Sequence, residues 1–96
     1  IAIEKAGAFA IVIEGVMSDV AKKISEAIGI PTIGIGAGCD TDGQVLVWSD
    51  MFGFFEEFKP KFVRHYLDGA NLIKNGMEKY REDVQNKNFP SKEEEY

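Results

Sequence analysis

The chain has 96 residues, 45% of them hydrophobic and seven of them Phe, which is apolar material for one modest packed domain or part of one. Its 16 acidic and 11 basic residues give a formal charge of -5, with Lys and Arg scattered, so neither nucleic acid nor an anionic membrane surface is an expected partner. The single cysteine, Cys39, excludes an internal disulfide and a cysteine metal cluster, and no apolar run approaches the ~20 residues that span a bilayer.

The opening Ile1-Ala2-Ile3-Glu4-Lys5-Ala6-Gly7 reads as the last turns of a helix stopped by glycine, as if the chain starts in mid-fold. It lacks the basic-then-apolar order of a signal peptide, and with one cysteine the cytoplasm is the default compartment. Ala8-Phe9-Ala10-Ile11-Val12-Ile13 is a continuous apolar run ending at Glu14, the pattern of a strand buried on both faces of a parallel sheet. Ser18 or Asp19 then caps a helix whose Val20, Ile24, Ala27 and Ile28 share a face, with Gly29 and Pro31 as stop signals. Pro31-Thr32-Ile33-Gly34-Ile35-Gly36 supplies a second strand. After a Gly- and Asp-rich loop, Gln44-Val45-Leu46-Val47-Trp48 supplies a third. Strand, helix, strand with short links predicts an α/β fold with right-handed crossovers.

From about Pro60 the apolar period becomes 3.6, with Val63, Tyr66, Leu67, Ala70, Ile73, Met77, Tyr80 and Val84 on one stripe and Gly69 and Gly76 as bends or breaks. The end, from Phe89-Pro90, is polar and is expected to be mobile unless Phe89 is docked.

Glu14 is the first candidate for chemistry, because it ends an apolar strand at the C-terminal edge of the sheet, where parallel α/β folds carry their sites. A carboxylate with an apolar approach loses hydration and its pKa rises, which suits a general base; the plain alternative is a solvated loop glutamate. Gly34-Ile35-Gly36-Ala37-Gly38 permits close approach of a ligand or of another backbone, but it is not a dinucleotide fingerprint. Asp40, Asp42 and Gly43 lack calcium-loop spacing and read as a turn. Asp50 reads as a cap or structural hydrogen-bonding group, His65 as a surface or partly packed helical residue, and Phe52, Phe54, Phe55, Phe58 and Phe62 as packing aromatics.

Taken together, Ala6 to Glu14, Ile30 to Gly38, Asp42-Gly43-Gln44-Val45-Leu46-Val47, Asp50-Met51-Phe52-Gly53, Lys59-Pro60-Lys61-Phe62-Val63 and Phe89-Pro90 resemble the ketopantoate hydroxymethyltransferase family. The resemblance implies the C-terminal part of a (β/α)8 TIM barrel of the phosphoenolpyruvate/pyruvate superfamily type. Residues 1–58 would be strands six, seven and eight with their connecting helix, and residues 59–96 the helical region and polar tail of the same domain. It also implies that Glu14 is the proton acceptor and that Ile35 and Val45 line an oxoacid pocket. A magnesium ion would be bound by carboxylates of the missing N-terminal part, and 5,10-methylenetetrahydrofolate would be the co-substrate. The expected partners are thus the oxoacid, the folate, the rest of the barrel and other copies in a homo-oligomer. Ser49 and Gly15 depart from the family, which commonly has histidine and cysteine there. Two alternatives stay open: a magnesium-dependent oxoacid lyase or mutase of the same superfamily, and a non-catalytic α/β binding module.

Overall fold

A computed structural model describes all of residues Ile1–Tyr96. In chain order the elements are helix α1 (Ala2–Lys5), strand β1 (Ile11–Glu14), helix α2 (Ser18–Ala27), strands β2 (Thr32–Ile35) and β3 (Gly43–Gln44), helices α3 (Trp48–Met51) and α4 (Gly69–Gln85), and a 3-10 turn over Lys92–Glu94. The helical turn read at the start of the sequence is α1, closed by Ala6 with Gly7 beyond it. No helix is long and apolar enough to cross a membrane.

The three strands form one parallel sheet in the order β1-β2-β3. Ile11 lies beside Thr32 and Glu14 beside Ile35. β1 is shorter than the apolar run from Ala8 because its partner begins only at Thr32. Before that, Pro31 accepts a bond from Ile11 N–H (2.9 Å) but has no N–H to return. β3 is shorter than the expected strand from Gln44 to Trp48. Val45 N–H still donates to the Gly34 carbonyl (3.0 Å), but β2 ends at Ile35, so Leu46 and Val47 have no partner backbone there, and Trp48 opens α3.

Parallel neighbours usually need a long crossover, yet only residues 36–42 join β2 to β3. The register explains this. Gly43 lies beside Ile33, so the loop retraces two strand residues, about 7 Å.

Side chains alternate along each strand, so Ile11, Ile13, Thr32 and Gly34 share one face, and Val12, Glu14, Ile33 and Ile35 the other. α2 covers the first face. Ile13, Ala21 and Ala37 are buried there, with Ile11, Val16 and Ile24 packed around them. The helix is rotated from the expected stripe: Ala21 is buried and Val20 is exposed. The small Ala21 faces the sheet, and the inward position one turn on is Ser25, a polar residue bonded to Thr32 that an apolar pattern does not count. Neither Ser18 nor Asp19 caps α2, whose N-cap position is Met17 with no side-chain bond; Asp19 instead sits in the first turn, where its charge opposes the helix dipole.

The long helix starts later than its period suggested. Residues between Pro60 and Asp68 are irregular, and His65 is in an exposed non-helical segment. Their donors are taken elsewhere: Tyr66, Gly69 and Ala70 N–H groups donate to the carbonyls of Met51 (2.7 Å), Phe52 (2.8 Å) and Gly53 (3.1 Å). Gly69 thus begins α4, pressed against Phe52, whose carbonyl would meet any Cβ placed there, and the helix runs unbroken through Gly76. The tail is folded back rather than free. Phe89 packs edge-on to Tyr80 at 5.4 Å, and Ser91 and Glu94 form a capping box.

Only 9 of 96 residues are buried, and the radius of gyration is 21.8 Å. A compact chain of this length has about 12 Å. The face carrying Val12, both sheet edges, and the Ile73, Met77, Tyr80 stripe of α4 are open. Expressed as these 96 residues, the chain is therefore expected to associate. Sedimentation velocity should find species larger than the monomer; a monodisperse, cooperatively unfolding monomer would contradict this account of its surface.

Candidate functional site

Glu14 and Ile35 are the last residues of β1 and β2 and lie side by side. The β2–β3 register, Ile33 beside Gly43 and Gly34 beside Gln44, continues one step through the Val45 N–H bond to Gly34, which sets Val45 next to Ile35. The three residues singled out in the sequence therefore form one row across the C-terminal ends of the strands, on the face turned away from α2. Ile35 is 8% exposed, Val45 is 46% exposed, and Glu14 is exposed. Glu14 is the one charged side chain that β1, β2 and β3 place on this face; Val12, Ile33 and Ile35 around it are apolar.

The desolvation expected for Glu14 is not supplied by this chain. Its residues make an apolar floor beside the carboxylate but no roof over it, and loss of hydration requires atoms on all sides. Groups from outside these 96 residues would have to provide them.

Sharp turns fix the row. Gly15 N–H donates to the Ile35 carbonyl at 2.9 Å, locking the end of β1 to the end of β2. Gly15 and Gly36 follow the two site residues with φ of 63° and 62°. Beyond that shared conformation they differ: a Cβ on Gly15 would meet open space, whereas one on Gly36 would lie 2.8 Å from the Phe62 ring. A Cβ on Gly38 would lie 2.5 Å from the Ser18 Cβ. The glycine run is thus built for protein packing, the second of the two readings the sequence left open, with Phe62 and Ser18 as the approaching groups.

At the other end of β2, Asp42 does more than occupy a turn. Its Oδ2 accepts the Thr32 N–H (2.8 Å) and the Thr32 hydroxyl (2.9 Å), and its own N–H donates to Thr32 Oγ1 (3.2 Å). Thr32 is fully buried and shares a 2.8 Å hydrogen bond with the Ser25 hydroxyl of α2. The Thr32 backbone N–H, followed by its hydroxyl, holds the Asp42 carboxyl below the usual carboxylate range. A carboxyl lowered in the folded state stabilises above its unfolded value, and the contribution is lost as pH falls through the folded value. Sequence reasoning missed this network because its members are brought together by strand register, not by local spacing.

The remaining candidates stand apart from the row. Asp50 lies inside α3, whose N-cap position is Val47, so it is not the cap expected of it. Among the phenylalanines, Phe54 is half-buried and packs edge-on to Trp48 at 5.3 Å, while Phe55 and Phe58 are exposed, so only part of the series packs within the chain. No three His, Cys, Asp or Glu side chains converge in a way that could hold a metal ion, so these residues alone do not fit a magnesium centre.

A model of the ketopantoate hydroxymethyltransferase family matches residues 1–92. The chain is 78% identical over 96 residues to a 3-methyl-2-oxobutanoate hydroxymethyltransferase of Aliarcobacter butzleri (strain RM4018), covering 100% of this chain and 36% of that protein. Proteins of the same name from Campylobacter curvus (strain 525.92) and Helicobacter pylori (strain Shi470) are 58% and 54% identical, over 99% and 100% of this chain and 35% and 36% of theirs. The chain thus spans about a third of the length of the curated relatives it matches.

The two turn glycines give a paired test. In the folded protein Gly15→Ala should cost about 1 kcal/mol, the strain of a left-handed alanine, while Gly36→Ala should cost about 1–3 kcal/mol more through the clash with Phe62. Denaturant unfolding measures both; equal losses would show that Phe62 does not pack on Gly36.

Proposed function

The chain belongs to the ketopantoate hydroxymethyltransferase family, and from that premise we propose that the complete protein makes 2-dehydropantoate from 3-methyl-2-oxobutanoate, with 5,10-methylenetetrahydrofolate as one-carbon donor. The family is one of TIM-barrel enzymes. Within that barrel we assign residues 1–58 as strands six, seven and eight with their connecting helix, and residues 59–96 as the helical region and tail that follow. The parallel order β1-β2-β3, with α2 on one face and both edges free, supports this assignment.

The observation that carries the reading is the row Glu14, Ile35, Val45 on the uncovered face. A lone carboxylate at the strand ends, beside apolar side chains, suits removal of a proton from the carbon next to a ketone. The Glu14 carboxylate takes the hydrogen on C3 of the oxoacid, and the C–H electron pair becomes the enolate. The enolate carbon then bonds to the one-carbon unit of the folate, water supplies the hydroxyl oxygen, and tetrahydrofolate leaves. Ile35 and Val45 give the branched alkyl end of the oxoacid an apolar wall and leave no charge there to compete with Glu14.

A magnesium ion, when bound, would polarise the ketone and stabilise the enolate charge. We assign its carboxylate ligands to the rest of the barrel and give this chain the base and the wall; that no three His, Cys, Asp or Glu side chains converge here supports the division. We place the protein in the cytoplasm as a homo-oligomer; the exposed, unpaired Cys39 and the open apolar surfaces support that placement.

In the complete protein Glu14→Gln should fold normally and lose about 100- to 10,000-fold in turnover, because the shape stays and the base goes. Unchanged turnover, with the chemical step shown to be limiting, would remove Glu14 from that role. Ile35→Asp should raise the KM for the oxoacid by setting a second negative charge and an unpaired polar group against its apolar end, and an unchanged KM would show that Ile35 does not line the pocket.

A further inference from the structure

We propose that Asp42 is a positioning residue for the oxoacid pocket: by gripping Thr32 it fixes the register of β3 on β2, and with it the place of Val45 beside Ile35 and Glu14. The inference rests on the pocket assignment above and extends it to a residue that faces no substrate.

The strand it holds is weakly held otherwise. β3 has two residues, β2 is its one partner within these 96 residues, and the loop before it contains Gly36 and Gly38. A strand this short forms few ladder bonds, and a slip of one residue would turn Val45 from the pocket face to the face that α2 covers. Leu46 or Gln44 would then stand next to Ile35. Something must choose between these registers.

Asp42 immediately precedes β3 and Thr32 opens β2, one step below the pair Ile33 and Gly43. Three hydrogen bonds join the two residues, at 2.8, 2.9 and 3.2 Å, and they run in both directions. Only with Asp42 level with Thr32 can its carboxylate reach the Thr32 N–H while its own N–H reaches the Thr32 hydroxyl. A slipped β3 loses the whole set, leaving the N–H of a buried threonine without its partner. With its own proton given to Asp42, the Thr32 hydroxyl accepts from the Ser25 hydroxyl of α2 at 2.8 Å, so the anchor ends in the packed side of the sheet rather than in another loop. Charge adds to the grip, because hydrogen bonds to a carboxylate are stronger than those to a neutral oxygen.

The test uses the complete enzyme, with KM measured separately for 3-methyl-2-oxobutanoate and for the folate at a temperature where circular dichroism shows each variant folded. Asp42→Ala should raise the oxoacid KM on the order of 10- to 100-fold, the scale of a small misplacement of a binding group, with the folate KM changed far less. Thr32→Val should do the same more weakly, since it keeps the backbone N–H, and Thr32→Ser should restore most of the loss by returning the hydroxyl. If Asp42→Ala does not fold, the Thr32 pair carries the same comparison. A folded Asp42→Ala enzyme with unchanged oxoacid KM, or with both KM values raised in parallel, overturns the proposal. Val45→Asp separates the two levels of the argument. If it leaves the oxoacid KM unchanged, the pocket assignment fails and this inference falls with it; if it raises that KM while Asp42→Ala does not, the inference alone fails.

Discussion

The parallel register of β1 on β2 is the constraint from which the rest of the structure follows. Glu14 stands beside Ile35 because Ile11 stands beside Thr32, and the period of a strand is two. Shifting β1 by one residue would send Glu14 toward α2 and its buried Ala21, and turn Ile13 out to the open face. The bond from Gly15 to the Ile35 carbonyl closes the top of this pair, and that from Ile11 to the Pro31 carbonyl closes its bottom. A polar residue on an otherwise apolar strand is tolerated here because it is the last one, where the sheet stops and the side chain is exposed.

The two faces of the sheet then do different things. One is finished: α2 lays Ala21 and Ile24 over Ile11 and Ile13, and the Ser25, Thr32, Asp42 chain satisfies the polar groups beneath it. The other is unfinished, with Val12 58% exposed and Glu14 open beside it. Leaving such a face bare is unfavourable at about 25 cal/mol per Å² of apolar surface, and it is also the condition for building a pocket there. On the barrel assignment proposed above, further strands closing over this face would bury Val12 and enclose the Glu14 carboxylate in one step.

Much of this was legible in the sequence where one strong local signal acted alone. The stop at Gly7 and the βαβ order came out as read, whereas the run into Glu14 forms a strand only from Ile11 and is buried on one face rather than both, with Val12 exposed. The row of Glu14, Ile35 and Val45 was named in advance through resemblance for the last two, and only the register shows why they belong together. Elsewhere tertiary contacts overrode local pattern. The helical period from Pro60 was real in composition but could not be used before Gly69, because the N–H groups of Tyr66, Gly69 and Ala70 were already bonded to the end of α3. Val20 lost the inward position to Ala21 because a small residue lets the helix come closer. Asp42 read as a turn residue, since no local spacing announces a bond to Thr32.

The most direct measurement of the central claim is a structure of the complete protein with 3-methyl-2-oxobutanoate bound. The account predicts a Glu14 carboxylate oxygen about 3–3.5 Å from C3 of the oxoacid, with Ile35 and Val45 against its methyl groups. An oxoacid seated at other strand ends, with Glu14 turned to solvent, would contradict it.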